Sequence, residues 1–492
     1  MTEKMSPAPM VAVAGPAPMP LGRLRHIRGD APQWLLWLCA GVALLLSWSI
    51  IRDRLGLGVT VGGLALLGVT MWRTERTLPM QRGALALLSA ALWTVPAWRD
   101  AGWVVFLAIL AAMFTTWFTV AMSTQLSGLL PLLVTPMTEI PAGAVWAAKS
   151  TRRVNQDLAV RVIQTAMLSI GLAILFGGLF AAADPAFAGV MNWLFSGLSV
   201  PLVTARLVVT GLFLAVILGL VHWAGSKPTV DGWPWQPTRV GRLDWLAPLI
   251  VVNAVFVLFI VLQARTLFGG DDYVMDTAGL TYAEYARSGF WLLSIITVLS
   301  LAVIAAGARW APRSTRGDRW VLRVVLGGLS LMSLVVVVSA LARMDLYSQV
   351  YGLTRLRVWV FAVEVWIGVL FCLVLFCGIR LRAAWLARAA VGTGAAVIVA
   401  LAAINPEALI AQQNLERYDA TGDIDLTYLG GLSPDALAVV DDRLDGEKRD
   451  CVVSRMLGDL DGGDDLLSWN LSRAVAAERY SDTSSLSCRA WH

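Results

Sequence analysis

GGDDYVMDTAGLTYAEYAR, Gly269 to Arg287, sets four carboxylates against one arginine between two apolar runs, Trp245–Gln263 and Gly289–Ala308. An apolar run near 20 residues is long enough to cross a bilayer as a helix. A polar stretch flanked by two such runs therefore reads as the surface loop of a membrane hairpin. The same pattern repeats outward at Trp34–Ile51, Leu55–Trp72, Ala84–Trp98, Ala101–Ala121, Leu158–Ala183, Val200–Trp223, Trp320–Leu341, Val358–Gly378 and Ala389–Ile404. The shorter runs cross only with tilt or local thinning, and the third, with Pro96, and the last, after Arg388, are the weakest. Continuous runs without period-two alternation satisfy their backbone groups as helices and do not suit a barrel. The expected fold is all-α: a polytopic helical membrane protein with about eleven transmembrane helices and a small C-terminal helical domain. The expected divisions are a disordered cytoplasmic leader over 1–33, a helical transmembrane domain over 34–404 and an acidic helical extracytoplasmic tail over 405–492.

Composition agrees with this reading. Of 492 residues, 57% are hydrophobic and 15% charged, and 22 are tryptophan, more apolar surface than one soluble core can hide. The net charge of +5 conceals a division: residues 1–403 carry 31 basic and 17 acidic side chains, +14, whereas 404–492 carry 8 and 17, −9. The basic charges are scattered over short loops, so the inside-positive bias of membrane insertion accounts for them and no nucleic-acid surface is implied. Lys4, Arg23, Arg73, Arg76, Lys149, Arg152, Lys227, Arg309, Arg313 and Arg380 fall on alternate loops. That alternation places the N-terminus in the cytoplasm and the tail outside.

Two outer loops echo each other. Ala264-Arg265 to Gly279-Leu280-Thr281 and Ala342-Arg343 to Gly352-Leu353-Thr354 each leave a span with Ala-Arg and re-enter with Gly-Leu-Thr, where glycine makes the turn and threonine caps the descending helix. The echo suggests either two copies of one hairpin, as in many transporters, or shared capping chemistry alone. The loops bring Asp272, Asp276, Tyr282, Glu284, Tyr285, Arg287, Arg343, Tyr347 and Arg355 to one face as candidate binding residues. Glu364 lies ten residues below Thr354, about 15 Å deep, where a carboxylate is costly and often marks an ion or proton path; Asn253 is its candidate partner. The bland alternative is a protonated Glu364 making one interhelical hydrogen bond.

Elsewhere, Gly58 and Gly62 suit close helix contact. Ser127–Ser150 carries Pro131, Pro136 and Pro141, which argue against a straight span. It is expected to lie along the inner headgroup region with Trp146 and Lys149 as anchors, a re-entrant loop being the alternative. In the tail, Asn405-Pro406-Glu407 and Ser433-Pro434-Asp435 are both helix starts with a cap, proline and an acid against the dipole, and Ser468 is the expected cap of a third helix. Asp459–Asp465 fails the calcium-loop spacing at Gly463. Three scattered histidines, and the lack of a phosphate-binding glycine loop or nucleophile elbow, leave no metal or cofactor to propose. Cys39, Cys372 and Cys377 lie in spans. Cys451 and Cys488 meet an oxidising compartment if the tail is outside, and form a candidate disulfide.

GLTYAEYAR, RMDLYSQVYGLTRLRVW, INPEALIAQQNLERY and DLTYLGGLSPDAL together resemble a bacterial multi-pass membrane family known only as a domain of unknown function, of the 4153/4173 type. The resemblance covers about Gly269–Val440. It implies a bacterial cell-membrane location and a helical architecture, and it carries over no activity and no site residue. Three functional classes remain: a transporter-like protein for a small solute, a sensor or scaffold that binds a protein partner through its outer loops and tail, and an outer-face lipid or envelope enzyme using Asp272, Asp276 and Glu284. A non-enzymatic role is the preferred expectation, with the lipid bilayer the one assured partner.

Overall fold

A computed structural model describes residues 31–51, 54–74, 80–121, 129–150, 156–196, 202–226, 241–268, 282–312, 315–381, 383–458 and 463–480. Among them the elements are helical throughout. In chain order they are α1 (Gln33–Ile50), α2 (Leu57–Thr74), α3 (Met80–Trp98), α4 (Gly102–Ala121), α5 (Leu129–Lys149), α6 (Gln156–Ala183), α7 (Pro185–Ser196), α8 (Leu202–Gly225), α9 (Arg242–Phe268), α10 (Tyr282–Trp310), α11 (Arg316–Tyr351), α12 (Arg355–Arg380) and α13 (Leu386–Ile404). The tail follows as α14 (Pro406–Thr421), α15 (Leu426–Gly430), a 3-10 turn over Pro434–Ala436, α16 (Leu437–Arg443), α17 (Gly446–Leu457) and α18 (Leu471–Arg479).

Among the described residues ten helices have the length and apolar composition to cross a membrane: α1, α2, α4, α6 and α8 to α13. This is a multi-pass, membrane-embedded all-α protein. The ten helices account for all but one of the expected runs. The exception is α3, helical over 19 residues but less apolar than the others. It packs between α2 and α4: Trp93 fills the space left by Gly63, and Ser89 Oγ lies 2.8 Å from Thr116 Oγ1. Pro96 sits in its last turn, where no further turn depends on it.

Two apolar cores divide the bundle. One joins α1–α5 and α8 with the Val391–Ala402 side of α13; the other joins α9–α12. Helix α13 packs against α3, α4 and α12 and so links them. Within the first core, Gly62 receives Leu46 of α1, and Gly58 faces Ser49, the close contact expected from their spacing.

The proline-rich segment departs from expectation. Pro136 and Pro141 lie inside one continuous helix, α5, because tertiary contacts outweigh the lost donors. A β-carbon on Gly143 would come within 2.4 Å of the Gly219 nitrogen of α8, and one on Gly219 within 2.6 Å of Ile140 Cα, so the two backbones touch. Trp146 is buried against His222, with ring centroids 5.6 Å apart, and is not an interfacial anchor. Ala31 N, at the start of α1, donates to Ser150 Oγ just past the end of α5. Glu139 Oε2 lies 3.4 Å from His222 Nδ1 near the end of α8.

At 36 residues and about 1.5 Å per residue, α11 is about 54 Å long, far more than the hydrocarbon thickness. The expected loop Ala342–Thr354 is therefore mostly helix, and only residues 352–354 turn. Gly352 makes that turn at φ +77°, and Thr354 caps α12 by accepting from Arg357 N.

Candidate functional site

The tail of α14–α18 sits over the α1–α2, α3–α4 and α11–α12 connections, so these three turns share one face of the bundle with it. Its contacts are built from the motif residues. Asn405 caps α14 by accepting from Ala408 N, with Pro406 in the first helical position, as the sequence formula requires. Glu407, expected only as an acid against the dipole, is fully buried. Arg355, at the start of α12, donates Nε to its Oε1 at 2.5 Å and Nη2 to its Oε2 at 2.8 Å. Trp103 Nε1 of α4 donates to Oε1 at 2.9 Å and Ser433 N to Oε2 at 2.7 Å. Tyr428 OH accepts from Arg355 N, and Arg355 also donates to Gly431 O.

A second anchor lies beside the first. Asp435 Oδ2 accepts from the backbone of Asp100 and Ala101 at 2.8 and 2.7 Å, and Arg99 donates to Ala402 O at the end of α13. Asn414 exchanges two hydrogen bonds with the backbone of Leu353, 2.9 Å each. Ser433 does not cap a helix; its hydroxyl donates to Asp435, and the expected helix start is a 3-10 turn.

The third anchor reaches α2. Leu57 N and Gly58 N, two of the free amides of that helix, donate to Trp469 O and Leu467 O at 2.9 and 2.8 Å. A β-carbon on Gly56 would meet Ser468 O at 2.2 Å. Buried Arg473 binds Asp464, Asp100, Leu55 O and Ser468 O together. Burial pushes the Asp100 carboxyl above the usual range, and Arg473 only partly offsets this. Asn470, not Ser468, caps α18, and its amide also holds Pro96 O and Arg99 O. Ser468 instead closes a turn with Asp465.

The expected binding residues therefore separate. Asp272 and Asp276 lie outside the described residues. Tyr282, Glu284, Tyr285 and Arg287 form the start of α10, and their side chains are likewise not described. Arg355 belongs to the tail anchor. Arg343 donates to Gln263 Oε1 of α9 at 2.8 Å, and Gln263 in turn donates to Ser339. Tyr347 lies under the Arg357 guanidinium, 4.3 Å from ring centre to carbon, and beside Tyr351.

Glu364 is 1% exposed inside the α9–α12 core. Its Oε2 and the Ser294 hydroxyl of α10 are both buried without a hydrogen-bond partner. Asn253 is elsewhere: its amide donates to Leu249 O, and its oxygen faces Gly328 of α11. Cys39, Cys372 and Cys377 are not disulfide-bonded. Cys451 is disulfide-bonded, and Cys488 lies outside the described residues. Among the described residues no group of His, Cys, Asp and Glu is arranged to hold a metal.

A family model described as a domain of unknown function, DUF4153, matches residues 86–443. The chain belongs to that family. No curated protein and no solved structure matches it. The first two anchors, Trp103, Arg355, Glu407, Asn414, Tyr428 and Asp435, fall within the DUF4153 segment; Gly56, Asp464, Asn470 and Arg473 of the third fall beyond it. Sequence reading missed Trp103, Asp100 and Arg473. The signal for the first two was the charged pair Arg99-Asp100 before Trp103 at a turn between spans, where neither charge had a stated task.

Proposed function

We propose that this protein is a transporter-like protein of the bacterial cell membrane that moves a small solute, with its N-terminus in the cytoplasm and its tail outside. The observation that carries the reading is Glu364, a wholly buried carboxylate in a core of four membrane helices with one oxygen unpartnered. Such a group is costly in hydrocarbon and is retained where ions or protons pass. The orientation draws on charge. Arg73, Lys149, Arg242, Arg309, Arg316 and Arg380 stand at helix ends away from the tail, and positive loops face the cytoplasm.

Uptake of a panel of small organic and inorganic solutes into vesicles holding the purified protein tests it. Glu364→Gln should abolish uptake, and a wild-type rate in that variant would overturn the reading. A second reading, a sensor or scaffold binding a protein partner, draws on the tail, which is anchored as one body over three connections. Under that reading Arg343→Ala or Arg287→Ala alters partner capture while membrane insertion is unchanged.

A further inference from the structure

Four exposed large apolar side chains fall together in the tail: Leu466 at 77% exposure, Trp469 at 39%, Leu471 at 48% and Val475 at 55%. On α18 the outward face changes from apolar to charged along its length. Leu471 and Val475 are one helical turn apart and share a side, opposite buried Arg473 and Ala476, while Glu478 and Arg479 are exposed at the far end. A contiguous apolar patch on a folded surface marks a place where something else binds.

Backbone bonds fix the depth at which this patch lies. Helix α2 has 18 residues, about 27 Å at about 1.5 Å each, slightly less than a hydrocarbon core of about 30 Å. A span that short has no length to spare, so its first residues lie at the hydrocarbon edge and not above it. Trp469 O accepts from Leu57 N at 2.9 Å and Leu467 O from Gly58 N at 2.8 Å, which sets the 466–471 stretch at the same level. Asn470 Nδ2 ties it to the end of α3 as well, through Pro96 O and Arg99 O. Trp48, exposed near the tail-side end of α1, stands at this level too, because its chain neighbour Ser49 faces Gly58. Val61 and Leu64, one and two turns further along α2, are likewise exposed. Tryptophan at a membrane edge belongs to the interfacial belt, and a short helix with one apolar side lies in the headgroup region.

We propose that the Leu466–Val475 surface is a lipid-binding face of the tail. Trp469 joins Trp48 in the interfacial belt, Leu471 and Val475 enter the boundary between headgroups and acyl chains, and α18 rises so that Glu478 and Arg479 reach water. The partner is a phospholipid surface and not a second protein, because the bonds to α2 hold the patch at a level where lipid already surrounds the spans. Arg479 is engaged with Asp441 and Asp442, so apolar contact supplies the attraction and no charged headgroup is needed. The inference goes beyond the transporter reading and holds whichever side of the membrane carries the tail.

The test is photolabelling of the full-length protein in phosphatidylcholine vesicles that contain a phospholipid with a diazirine near the top of its acyl chain, read by peptide mass at a high and a low protein-to-lipid ratio. Light expels nitrogen from the diazirine, and the carbene left behind inserts into a neighbouring C–H or O–H bond. Residues 466–475 should carry the lipid adduct in equal yield per chain at both ratios. Helix α17, whose exposed side chains are Glu447 and Arg455, should not. Leu471→Asp combined with Val475→Asp alters two exposed positions and leaves the packed side of α18 intact; this variant should lose the adduct while its α2 peptide stays labelled, which shows that it is inserted. Absence of the wild-type adduct with α2 labelled, or an adduct unchanged in the double variant, would overturn the lipid face. An adduct that appears only at the low ratio would mean that a second copy covers the patch, and would overturn it as well.

Discussion

Arg355 and Glu407 meet across 52 residues of chain as a fork, two guanidinium nitrogens on two carboxylate oxygens. The pair fixes the first helix of the tail to the first turn of α12. Fork geometry is specific to arginine, since a lysine presents one point charge. Glu407 has no exposed surface, so removing its partner leaves a buried charge uncompensated, whereas Arg355 is partly in water and the loss is discounted accordingly. Arg355→Ala should loosen the tail by on the order of 2 to 4 kcal/mol, and Arg355→Lys should restore less than half of it. Limited proteolysis within 405–480 reads the release. Unchanged cleavage in both variants would show that the fork does not hold the tail.

Gly56 gives an independent check at the other end of the tail. Its missing β-carbon leaves the space taken by the Ser468 carbonyl, and backbone there cannot yield as a side chain can. Gly56→Ala should cost about 1 to 3 kcal/mol, as overpacking does, and should expose the 463–470 turn to protease before any membrane helix melts. Gly41→Ala, where nothing lies within 4 Å, should be silent.

At the opposite face, Gly143 and Gly219 let α5 and α8 touch. Gly143→Val should force them apart and lower the melting temperature of the purified protein. Loss of the close crossing should also free Trp146 from His222, seen as a shift in its fluorescence in a variant whose other tryptophans are replaced. A crossing that tolerates valine would mean that α5 rests on α8 through side chains alone.

The tail should also respond to acid. Burial alone would push Asp441 up, but the Tyr480 hydroxyl beside it and the guanidinium groups of Arg449 and Arg479 hold its carboxyl below the usual value near 3.8. A group depressed in the folded state stabilises it above its unfolded pKa, and that contribution disappears as pH falls through the folded value. Protease resistance of the tail should therefore be level down to about pH 4 and decline below it. Asp441→Asn should lower resistance at neutral pH and flatten the acid decline; an unchanged acid profile would remove Asp441 as its source.

Cys451 is disulfide-bonded, and with no disulfide at Cys39, Cys372 or Cys377, Cys488 is the partner we propose from the five cysteines of the chain. Thiol labelling of intact cells should reach neither residue before reduction and both after it. Labelling of both only once the membrane is opened, without reductant, would place the tail in the cytoplasm and overturn the proposed orientation.

The sequence displayed some of this plainly and hid the rest for physical reasons. Spans are legible because a run of apolar residues is a local property, and the Asn405 cap because proline and the capping side chain stand side by side. Glu364 was legible by depth alone. The role of Asn253 was not: it lies at a similar depth in sequence, and helix rotation turns it toward Gly328 and away from pairing with the carboxyl. Glu407 was misjudged because its local role, an acid at a helix start, is real but minor beside Arg355 and Trp103, which are distant in the chain. In α5 the prolines promised a break, and the contact of Gly143 with Gly219 outweighed them.

The carbonyls of Trp469 and Leu467 close the amide end of α2, a helix that leaves the ribosome well before they do. Until the chain reaches them, the first turn of that helix lacks these two acceptors. A chain interrupted before Asn405 would enter the membrane with every hairpin in place and three open connections on its surface. Quality-control proteases that survey the membrane would then meet exposed turns that the docked tail otherwise covers.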